Sequence, residues 1–280
     1  MTQRKVGILH PGQMGISVAA SIQNSGHTVC WASEGRSRAT HERAEKFGLQ
    51  DAGTLAELCE TCTVIVSVCP PHVAEEMAAR VLRHAFRGLY LDANAVSPQR
   101  VIRMEQAMQA AGVTFVDGGI IGGPAWEAGK TRLYLSGKAA AEAADCFSGG
   151  ALQAMVIGAS VGKASALKMC YAAYTKGTTA LLCGVLAAAE ELGVRGELEQ
   201  EWSRDEAGLA EEARERVRRV TAKAWRFEGE MAEIADTFRE AGLPSGFHVA
   251  AGTIYHRLAD FKDAVSGPSL EEVLAALHES

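Results

Sequence analysis

Short apolar runs alternate with amphipathic segments through the first 157 residues of the chain. Five runs have the length and composition of β-strands: KVGIL, HTVCW, CTVIVSV, GLYLDA and VTFVDG. The segments between them have helical spacing, and helices are predicted near residues 12–25, 39–47, 54–60, 71–86 and 98–111. Such an alternation of strands and helices is typical of a parallel α/β sheet.

After Ile157 the strand signals stop, and the remainder is rich in Ala, Leu, Glu and Arg. We therefore predict two domains, a sheet domain over residues 1–160 and an all-helical domain over residues 161–280. The longest apolar stretch, residues 164–189, contains two charged residues, Lys168 and Lys176. The thirteen residues after Lys176 are too few for a membrane span of about 20 residues. The stretch is predicted to be one long buried helix, and no membrane partner is expected.

The composition and net charge indicate which class of ligand the protein binds. The chain has 280 residues and a formal net charge of −6. This balance disfavours nonspecific binding to nucleic acid or to an anionic membrane, so we expect a small-molecule substrate. Seven cysteines, an odd number without regular spacing, are typical of reduced thiols in the cytoplasm, and no signal-peptide pattern is seen at the start.

Two of the cysteines form the short motif Cys59-Glu-Thr-Cys62. A zinc or redox site would need a second ligand pair nearby, and the sequence does not supply one. Residues 54–57 before the motif read as a capping box that opens a short helix. We interpret the two cysteines as buried thiols at a helix end and expect no metal.

The stretch ILHPGQMG lies between the first predicted strand and the first predicted helix. Aligned with the dinucleotide fingerprint G-x-G-x-x-G, it has the second and third glycines and a histidine in place of the first. The first glycine serves a tight turn, which histidine can make at positive φ and which the following proline can assist. A turn with no ligand is the alternative interpretation. The predicted cofactor loop comprises His10, Pro11, Gly12, Gln13, Met14 and Gly15.

The segment after the second strand bears on the choice between NADP and NAD. Ser33 stands where an acidic residue would bind the ribose 2′-hydroxyl of NAD, and Arg36 and Arg38 follow closely. Guanidinium groups bind phosphate in charge-assisted pairs, so this pattern favours the 2′-phosphate of NADP. A shift of register by one residue would place Glu34 at the ribose and would favour NAD. Solvated loop charges without a ligand are the third interpretation.

Two later loops should flank the cofactor, because ligands of open parallel sheets lie outside the carboxyl ends of the strands. The residues concerned are Val68, Cys69 and Pro70 after one strand and Asn94 after the next. The loop after VTFVDG contains Gly122 and Gly123, whose backbone N–H groups could face a carbonyl or anionic oxygen of a substrate. A simple turn is the alternative for that loop.

Lys168 is the leading candidate for acid–base chemistry. It lies in an apolar helix, where burial would disfavour the ammonium and bring its pKa toward the working pH. Tyr171 is three residues further on and shares its helix face. A lysine that extends to solvent without a function is the alternative.

These features resemble the β-hydroxyacid dehydrogenase superfamily, which includes 3-hydroxyisobutyrate and 6-phosphogluconate dehydrogenases. The second half resembles the helical domain of poorly characterised phosphogluconate-dehydrogenase-like proteins, through residues 164–171, 223–231 and 242–248. The resemblance implies a Rossmann domain, a helical second domain, a long inter-domain helix, and a homodimer whose active site lies between the domains. It also implies that Lys168 is the lysine that exchanges a proton with the substrate oxygen while hydride moves to or from nicotinamide.

The chain departs from this family at two positions. The asparagine usual four residues after the lysine is Ala172 here, so Tyr171 is a candidate to replace its hydrogen bonds. Where related enzymes have Ser-Gly-Gly to hold the substrate carboxylate, the chain has Ile121-Gly-Gly, which favours a bulkier or less acidic substrate. We expect an NADP-dependent oxidoreductase that interconverts alcohol and carbonyl groups. Imine reduction on the same scaffold and non-catalytic NADP binding are the alternatives.

Overall fold

The structure is a computed structural model that describes residues 3–264 and 267–278. The chain forms two compact units, residues 1–169 and residues 170–280. Helix α7, Lys163–Glu191, contributes residues to both units.

The first unit contains a twisted sheet flanked by helices, which confirms the predicted fold class. Its described strands are β1 Lys5–Ile8, β2 Thr28–Trp31, β3 Gln50–Asp51, β4 Val64–Ser67, β5 Leu89–Asp92, β6 Thr114–Ile121, β7 Arg132–Ser136 and β8 Gln153–Gly158. Its described helices before α7 are α1 Gln13–Asn24, α2 Arg38–Lys46, α3 Leu55–Thr61, α4 Ala74–Arg83, α5 Pro98–Ala110 and α6 Ala140–Ala144, and short 3₁₀ turns lie at Pro71–Val73 and Asp145–Phe147.

The strand order is β3-β2-β1-β4-β5-β6-β7-β8. The chain leaves β1 toward one edge through β2 and later returns to its other side with β4, so the order reverses between β1 and β4. This reversal is the point at which open α/β sheets bind ligands. The five predicted strands pair in parallel, as expected, and β7, which the sequence patterns did not predict, pairs antiparallel with β6.

The sequence patterns missed three strands and extended one helix too far. The described part of β3 has two exposed residues, and β7 (RLYLS) has polar residues at both ends. The side chains of β8 (QAMVIG) are apolar over residues 154–157 but partly or largely exposed. The helix expected over residues 71–86 is a 3₁₀ turn followed by α4, which ends at Arg83. The capping box is present: the Thr54 side chain accepts from the Glu57 N–H, and the Glu57 carboxylate accepts from the Thr54 N–H.

The apolar core of this unit lies on both faces of the sheet. One cluster packs α1 against residues such as Val6, Ile8 and Leu135. The other packs α3, α4 and α5 against the opposite face, where Tyr90 and Phe115 stack with ring centroids 5.9 Å apart. Cys59 and Cys62 lie in this second cluster as buried thiols. Burial on both faces explains why the central strands read as continuous apolar runs.

The second unit consists of helices in its described residues. After α7 they are α8 Arg195–Asp205, α9 Leu209–Glu240, α10 Gly246–Arg257 and α11 Leu270–Ala276, with a 3₁₀ segment Ala259–Asp263. The long helix α9 packs against α10 and the 3₁₀ segment, and the Tyr255 hydroxyl donates to the Lys176 carbonyl at 2.7 Å.

The expectation that α7 is buried all round is wrong for the single chain. Tyr174 is 73% exposed and Leu181 is 51% exposed, whereas Met169 and Cys183 are buried. Lys176, one of the two charged residues of the stretch, forms an ion pair with Glu230 at 2.5 Å. Along the residues that the structure describes, no helix is both long enough and apolar enough to span a membrane.

Candidate functional site

The turn between β1 and α1 lies at the carboxyl end of β1, beside the point where the strand order reverses. The Gly12 N–H donates to the His10 carbonyl at 2.8 Å, which closes a three-residue turn centred on Pro11. Positive φ, suggested above for His10, is found at one non-glycine residue of the described chain, Ala85. The turn is therefore made with ordinary φ at His10.

The two glycines of this turn have different physical roles. A Cβ atom on Gly15 would lie 1.9 Å from the His10 carbonyl oxygen, so the packing of α1 against the turn excludes any side chain there. A Cβ on Gly12 would meet nothing within 4 Å, and the φ of Gly12 is −71°. Gly15 is thus required by the fold, whereas Gly12 leaves open space.

The amino end of α1 presents backbone donors. Gly12 is its N-cap, and within the described residues no side chain caps it. The first N–H groups of a helix lack intrahelical partners and attract anions. Together with the open space at Gly12, this terminus fits the pyrophosphate of a dinucleotide.

His10 lies next to this terminus with a largely buried ring. Its Nδ1 is buried and has no hydrogen-bond partner among the residues that the structure describes. Burial and the nearby charges of Arg36 and Arg80 lower the pKa of His10 to about 4. The ring is therefore neutral at pH 7.

The structure separates the two arginines that were expected at a 2′-phosphate. Arg36 is half-buried, and its Nη2 donates to the Leu9 carbonyl at 2.9 Å while its Nε is buried without a partner. Arg38 is 91% exposed and pairs with Glu42 at 2.7 Å. Arg36 thus lies near the end of β1, where a positive charge fits an anionic ligand, whereas Arg38 extends into solvent.

Ser33 and Glu34 lie at the end of β2. The Ser33 hydroxyl is 3.5 Å from the Gly53 carbonyl, and Glu34 is exposed. Neither the Ser33 contact nor the exposed position of Glu34 distinguishes a site for a 2′-phosphate from a site for a 2′-hydroxyl.

The loops after β4 and β5 are tied together by Asn94. Its Oδ1 accepts from the Cys69 N–H at 2.5 Å, and its Nδ2 donates to the Ser67 hydroxyl and to Asp92. The Asn94 side chain is therefore used in bracing the loop of Val68, Cys69 and Pro70. Burial raises the pKa of Asp92 to about 7, and the hydrogen bonds from Asn94 oppose that rise.

The glycine pair after β6 also divides into two roles. Gly122 has φ +124°, and a Cβ there would lie 2.7 Å from the Lys130 carbonyl oxygen. Gly123 is exposed with open space at its Cβ position, and its carbonyl accepts from the Thr131 hydroxyl at 2.7 Å. The turn requires a glycine at position 122, whereas Gly123 remains available to a ligand.

Lys168 is partly buried on α7, above strand β6. A Cβ on Gly119 would lie 3.1 Å from the Lys168 Cβ and 2.6 Å from the Ala164 carbonyl oxygen. Tyr171 is 47% exposed, and Ala172, where the family has asparagine, is fully buried. The stem of Lys168 therefore lies against the strand that leads to Gly122 and Gly123.

The sequence patterns did not identify Asp117, a buried carboxylate on β6. It accepts hydrogen bonds from Ser136, Gly162, Ala164 and Ser165. Burial raises the pKa of Asp117, and the bonds from Ser165, Ser136 and Gly162 act against that rise. Its signal in the sequence is an acidic residue at the end of the apolar run TFVD, a feature that the run GLYLD shares.

Comparison with known proteins is consistent with this geometry. Residues 5–167 match the NAD binding domain of 6-phosphogluconate dehydrogenase, and residues 189–258 match DUF1932, a domain of unknown function. A curated relative, an uncharacterized 28.5 kDa protein in the 7S RNA 5′ region of Methanothermus fervidus, is 32% identical over 165 residues. That match covers 59% of this chain and 63% of the relative.

Three solved structures share the fold. The conserved protein MTH1747 of unknown function, described as structurally similar to 3-hydroxyacid dehydrogenases, has 30% identity and a TM-score of 0.69, with 91% of this chain and 97% of that chain covered. Mycobacterium tuberculosis 3-hydroxyisobutyrate dehydrogenase has 16% identity and a TM-score of 0.68, with 99% and 100% covered. An imine reductase variant from Myxococcus stipitatus, in complex with NAD⁺, has 19% identity and a TM-score of 0.58, with 99% and 100% covered.

The chain belongs to the family defined by the NAD binding domain of 6-phosphogluconate dehydrogenase. This confirms the resemblance to the 6-phosphogluconate and 3-hydroxyisobutyrate dehydrogenases.

Proposed function

We propose that the protein is an NADP(H)-dependent oxidoreductase that interconverts a hydroxy and a keto group in a small, hydroxy-acid-like molecule. The observation that carries this proposal is the place of Lys168. Its stem packs over Gly119 on β6, the strand that leads into the Gly122–Gly123 loop. An ammonium on that helix can reach a substrate oxygen held beside the loop.

The chemistry divides between the cofactor and the chain. Nicotinamide, when bound, supplies or accepts the hydride. In the reductive direction Lys168 donates a proton to the carbonyl oxygen, and in the oxidative direction it accepts the hydroxyl proton. The Gly123 N–H and the Tyr171 hydroxyl are the proposed hydrogen-bonding groups for the substrate, with Tyr171 standing in for the family's asparagine.

The cofactor would be held by the cofactor loop and the adjacent loops. Residues 10–15 would take the pyrophosphate at the start of α1, and residues 68–70 and Asn94 would border the nicotinamide side. The guanidinium of Arg36, which lies at the carboxyl end of β1 and donates to the Leu9 carbonyl, supports NADP over NAD. Use of NAD through Glu34 is the competing assignment.

The substrate class follows from one departure. Ile121 stands where related enzymes have a carboxylate-binding serine, and it is buried at the end of β6. Loss of that hydroxyl favours a substrate that is bulkier or less acidic than a short 3-hydroxy acid. Imine reduction is the second candidate function, supported by the fold that the imine reductase shares, and a lysine at position 168 disfavours it. Cofactor binding without catalysis is the third.

Oxidation of NADPH against panels of keto acids, aldehydes and imines separates these three functions. With the substrate found, Lys168→Met should lower turnover by about two to four orders of magnitude, the usual contribution of a positioned acid–base group. Cofactor affinity should barely change. Retention of more than about a tenth of the turnover would exclude acid–base catalysis by Lys168 at that magnitude.

Lys163→Met is the matched control. Lys163 is exposed at the start of α7 and lies five residues, about 7.5 Å along the helix, from Lys168. Its replacement should leave turnover nearly intact. Lys176 is unsuitable as a control, because its replacement would remove the ion pair with the part-buried Glu230 carboxylate.

The proposed enzyme is a homodimer in the cytoplasm. Tyr174 and Leu181 lie seven residues, two helical turns, apart on α7 and are exposed in the single chain. Exposed apolar side chains that share one helix face mark an interaction surface, and a second copy is the commonest partner.

A further inference from the structure

The start of α7 is held by a buried carboxylate from the neighbouring sheet. The Asp117 Oδ2 accepts from the N–H groups of Gly162, Ala164 and Ser165 at 2.9, 3.0 and 3.1 Å. These are backbone donors at the amino end of the helix, which lack intrahelical partners. Asp117 therefore satisfies the amino end of α7 and places a negative charge at the positive end of its dipole.

Two serine hydroxyls complete this arrangement. Ser165 donates to the Asp117 Oδ1 at 2.6 Å, and Ser136 on β7 donates to the Oδ2 at 2.9 Å. The Ser136 hydroxyl also accepts from the Ala164 N–H at 3.0 Å. Among the described residues, the five groups that hydrogen-bond to Asp117 are donors, so the arrangement requires an acceptor on both oxygens. The carboxyl group of Asp92 lies opposite Asp117 on the neighbouring strand β5.

A second contact fixes the same turn of the helix from the side. The Ala164 carbonyl lies so close to the Gly119 Cα that a Cβ on Gly119 would be 2.6 Å away. Ala164 and Lys168 are four residues apart, so they lie one above the other on the same helix face. Asp117 and Gly119, two residues apart on β6, thus hold both the start of α7 and the base of Lys168.

We propose that Asp117 is a positioning residue for Lys168, which it orients by anchoring the first turn of α7 to strand β6. Asp117 acts through the helix backbone and does not touch the reacting atoms. The expected effect of Asp117 on turnover rests on the proposed function of Lys168, whereas the expected effect on the placement of Lys168 does not. The placement of the lysine can be measured without any substrate.

The first test uses ¹³C-labelled lysine, with the Lys168 signal assigned through the Lys168→Met variant. Asp117→Ala removes all five hydrogen bonds and should change both the chemical shift and the titration midpoint of the Lys168 ε-carbon. Gly119→Ala crowds the same turn from the other side and should change the same signal. Thr54→Ala is the matched control, because it removes the cap of α3 and should leave the Lys168 signal unchanged.

Asp117→Asn tests the conservative replacement. Its carbonyl oxygen can accept the bonds now made to Oδ2, and the Ser165 hydroxyl can reverse to accept from the amide. The Lys168 signal should therefore return toward its wild-type position. A folded Asp117→Ala protein with an unchanged Lys168 signal would overturn the proposal. If that variant does not fold, Asp117→Ser, whose side chain offers one oxygen in place of two, takes its place, and an unchanged Lys168 signal there overturns the proposal.

Turnover provides the second readout once a substrate is found. Asp117→Ala should lower kcat by about 100-fold, the effect of misplacing a reacting group by about 1 Å, with KM for the cofactor unchanged. Asp117→Asn should recover most of that loss. An unchanged kcat in folded Asp117→Ala, when Lys168→Met is inactive, contradicts the positioning role. An active Lys168→Met contradicts the proposed function instead, and the lysine spectrum still decides the positioning.

Discussion

The carbonyl oxygen of His10 occupies the space that a side chain on Gly15 would need, since a Cβ there would lie 1.9 Å from it. Three residues earlier, Gly12 has open space and a φ that any residue can adopt. Two glycines of one fingerprint are therefore present for different reasons, one for packing within the protein and one for a ligand.

The same substitution at these two glycines should separate folding from cofactor binding. Gly12→Ala should change the unfolding free energy by less than about 1 kcal/mol, because the new methyl group meets nothing. It should weaken NADPH binding by at least about tenfold, because the backbone must approach the pyrophosphate closely. Gly15→Ala should lower the unfolding free energy by several kcal/mol, because α1 must move away from the turn.

Urea unfolding and calorimetric titration with NADPH measure the two effects. Full NADPH affinity in Gly12→Ala would mean that the open space is not part of the cofactor site. Wild-type stability in Gly15→Ala would contradict the packing account.

The buried ring of His10 predicts a pH dependence of stability. Its folded pKa of about 4 lies below the ordinary value of 6.5, so the unfolded chain binds the extra proton between these pH values. The contribution of His10 to the free energy of unfolding should therefore be present above pH 6.5 and should be lost as the pH falls toward 4. At pH 5 this group should lower the free energy of unfolding by about 2 kcal/mol. Urea unfolding at pH 7 and pH 5 measures this loss.

His10→Gly is the control for that measurement. The variant lacks the titrating ring, so its stability should fall less between pH 7 and pH 5 than that of the wild type. Cofactor binding should stay within a few fold, because glycine is the usual residue at this turn. Equal pH dependence in both proteins would assign the acid sensitivity to other groups.

Much of the fold of the first unit, residues 1–169, can be predicted from local sequence patterns. Strands β1, β4 and β5 are apolar on both faces, and Gly12 and Gly15 stand between a strand and a helix, so both features are visible in short windows. The hydrogen bonds of Asp117 are different, because they join residues 19 to 48 positions apart that meet only after β6, β7 and α7 have packed. A short window cannot show such a pairing.

The different environments of the two arginines could not be predicted from the sequence either. Arg36 and Arg38 are two residues apart, and charge alone makes them equivalent. The structure distinguishes them through the Leu9 carbonyl, which binds Arg36, and through Glu42, one helical turn from Arg38.

This distinction gives a prediction about cofactor choice. NADPH should bind at least about tenfold more tightly than NADH, a difference of about 1.4 kcal/mol. Arg36→Ala should remove most of that difference, because its half-buried guanidinium lies at the carboxyl end of β1, beside the predicted cofactor loop. Arg38→Ala should have the smaller effect, since an exposed side chain paired within its own helix contributes little.

Fluorescence titration of both cofactors against the three proteins measures these differences. Equal affinities in the wild type would reject NADP preference. A gain in the ratio of NADPH to NADH affinity in Glu34→Gln would support the alternative in which that carboxylate binds the ribose of NAD.

The exposed face of α7 predicts the assembly. Tyr174 and Leu181 are seven residues apart, two turns of one helix, and more than half of each is exposed in the single chain. A second copy would bury them, so sedimentation at micromolar concentration should give about twice the mass of one chain.

Tyr174→Glu combined with Leu181→Glu should shift the equilibrium to the monomer, because carboxylates buried in an apolar interface lose their hydration without a partner. Leu243→Glu is the control: Leu243 is 54% exposed and lies between α9 and α10, outside helix α7, so its replacement should leave the dimer intact. A wild-type mass near 29.7 kDa would reject the dimer, and a double variant that stays dimeric would place the interface elsewhere.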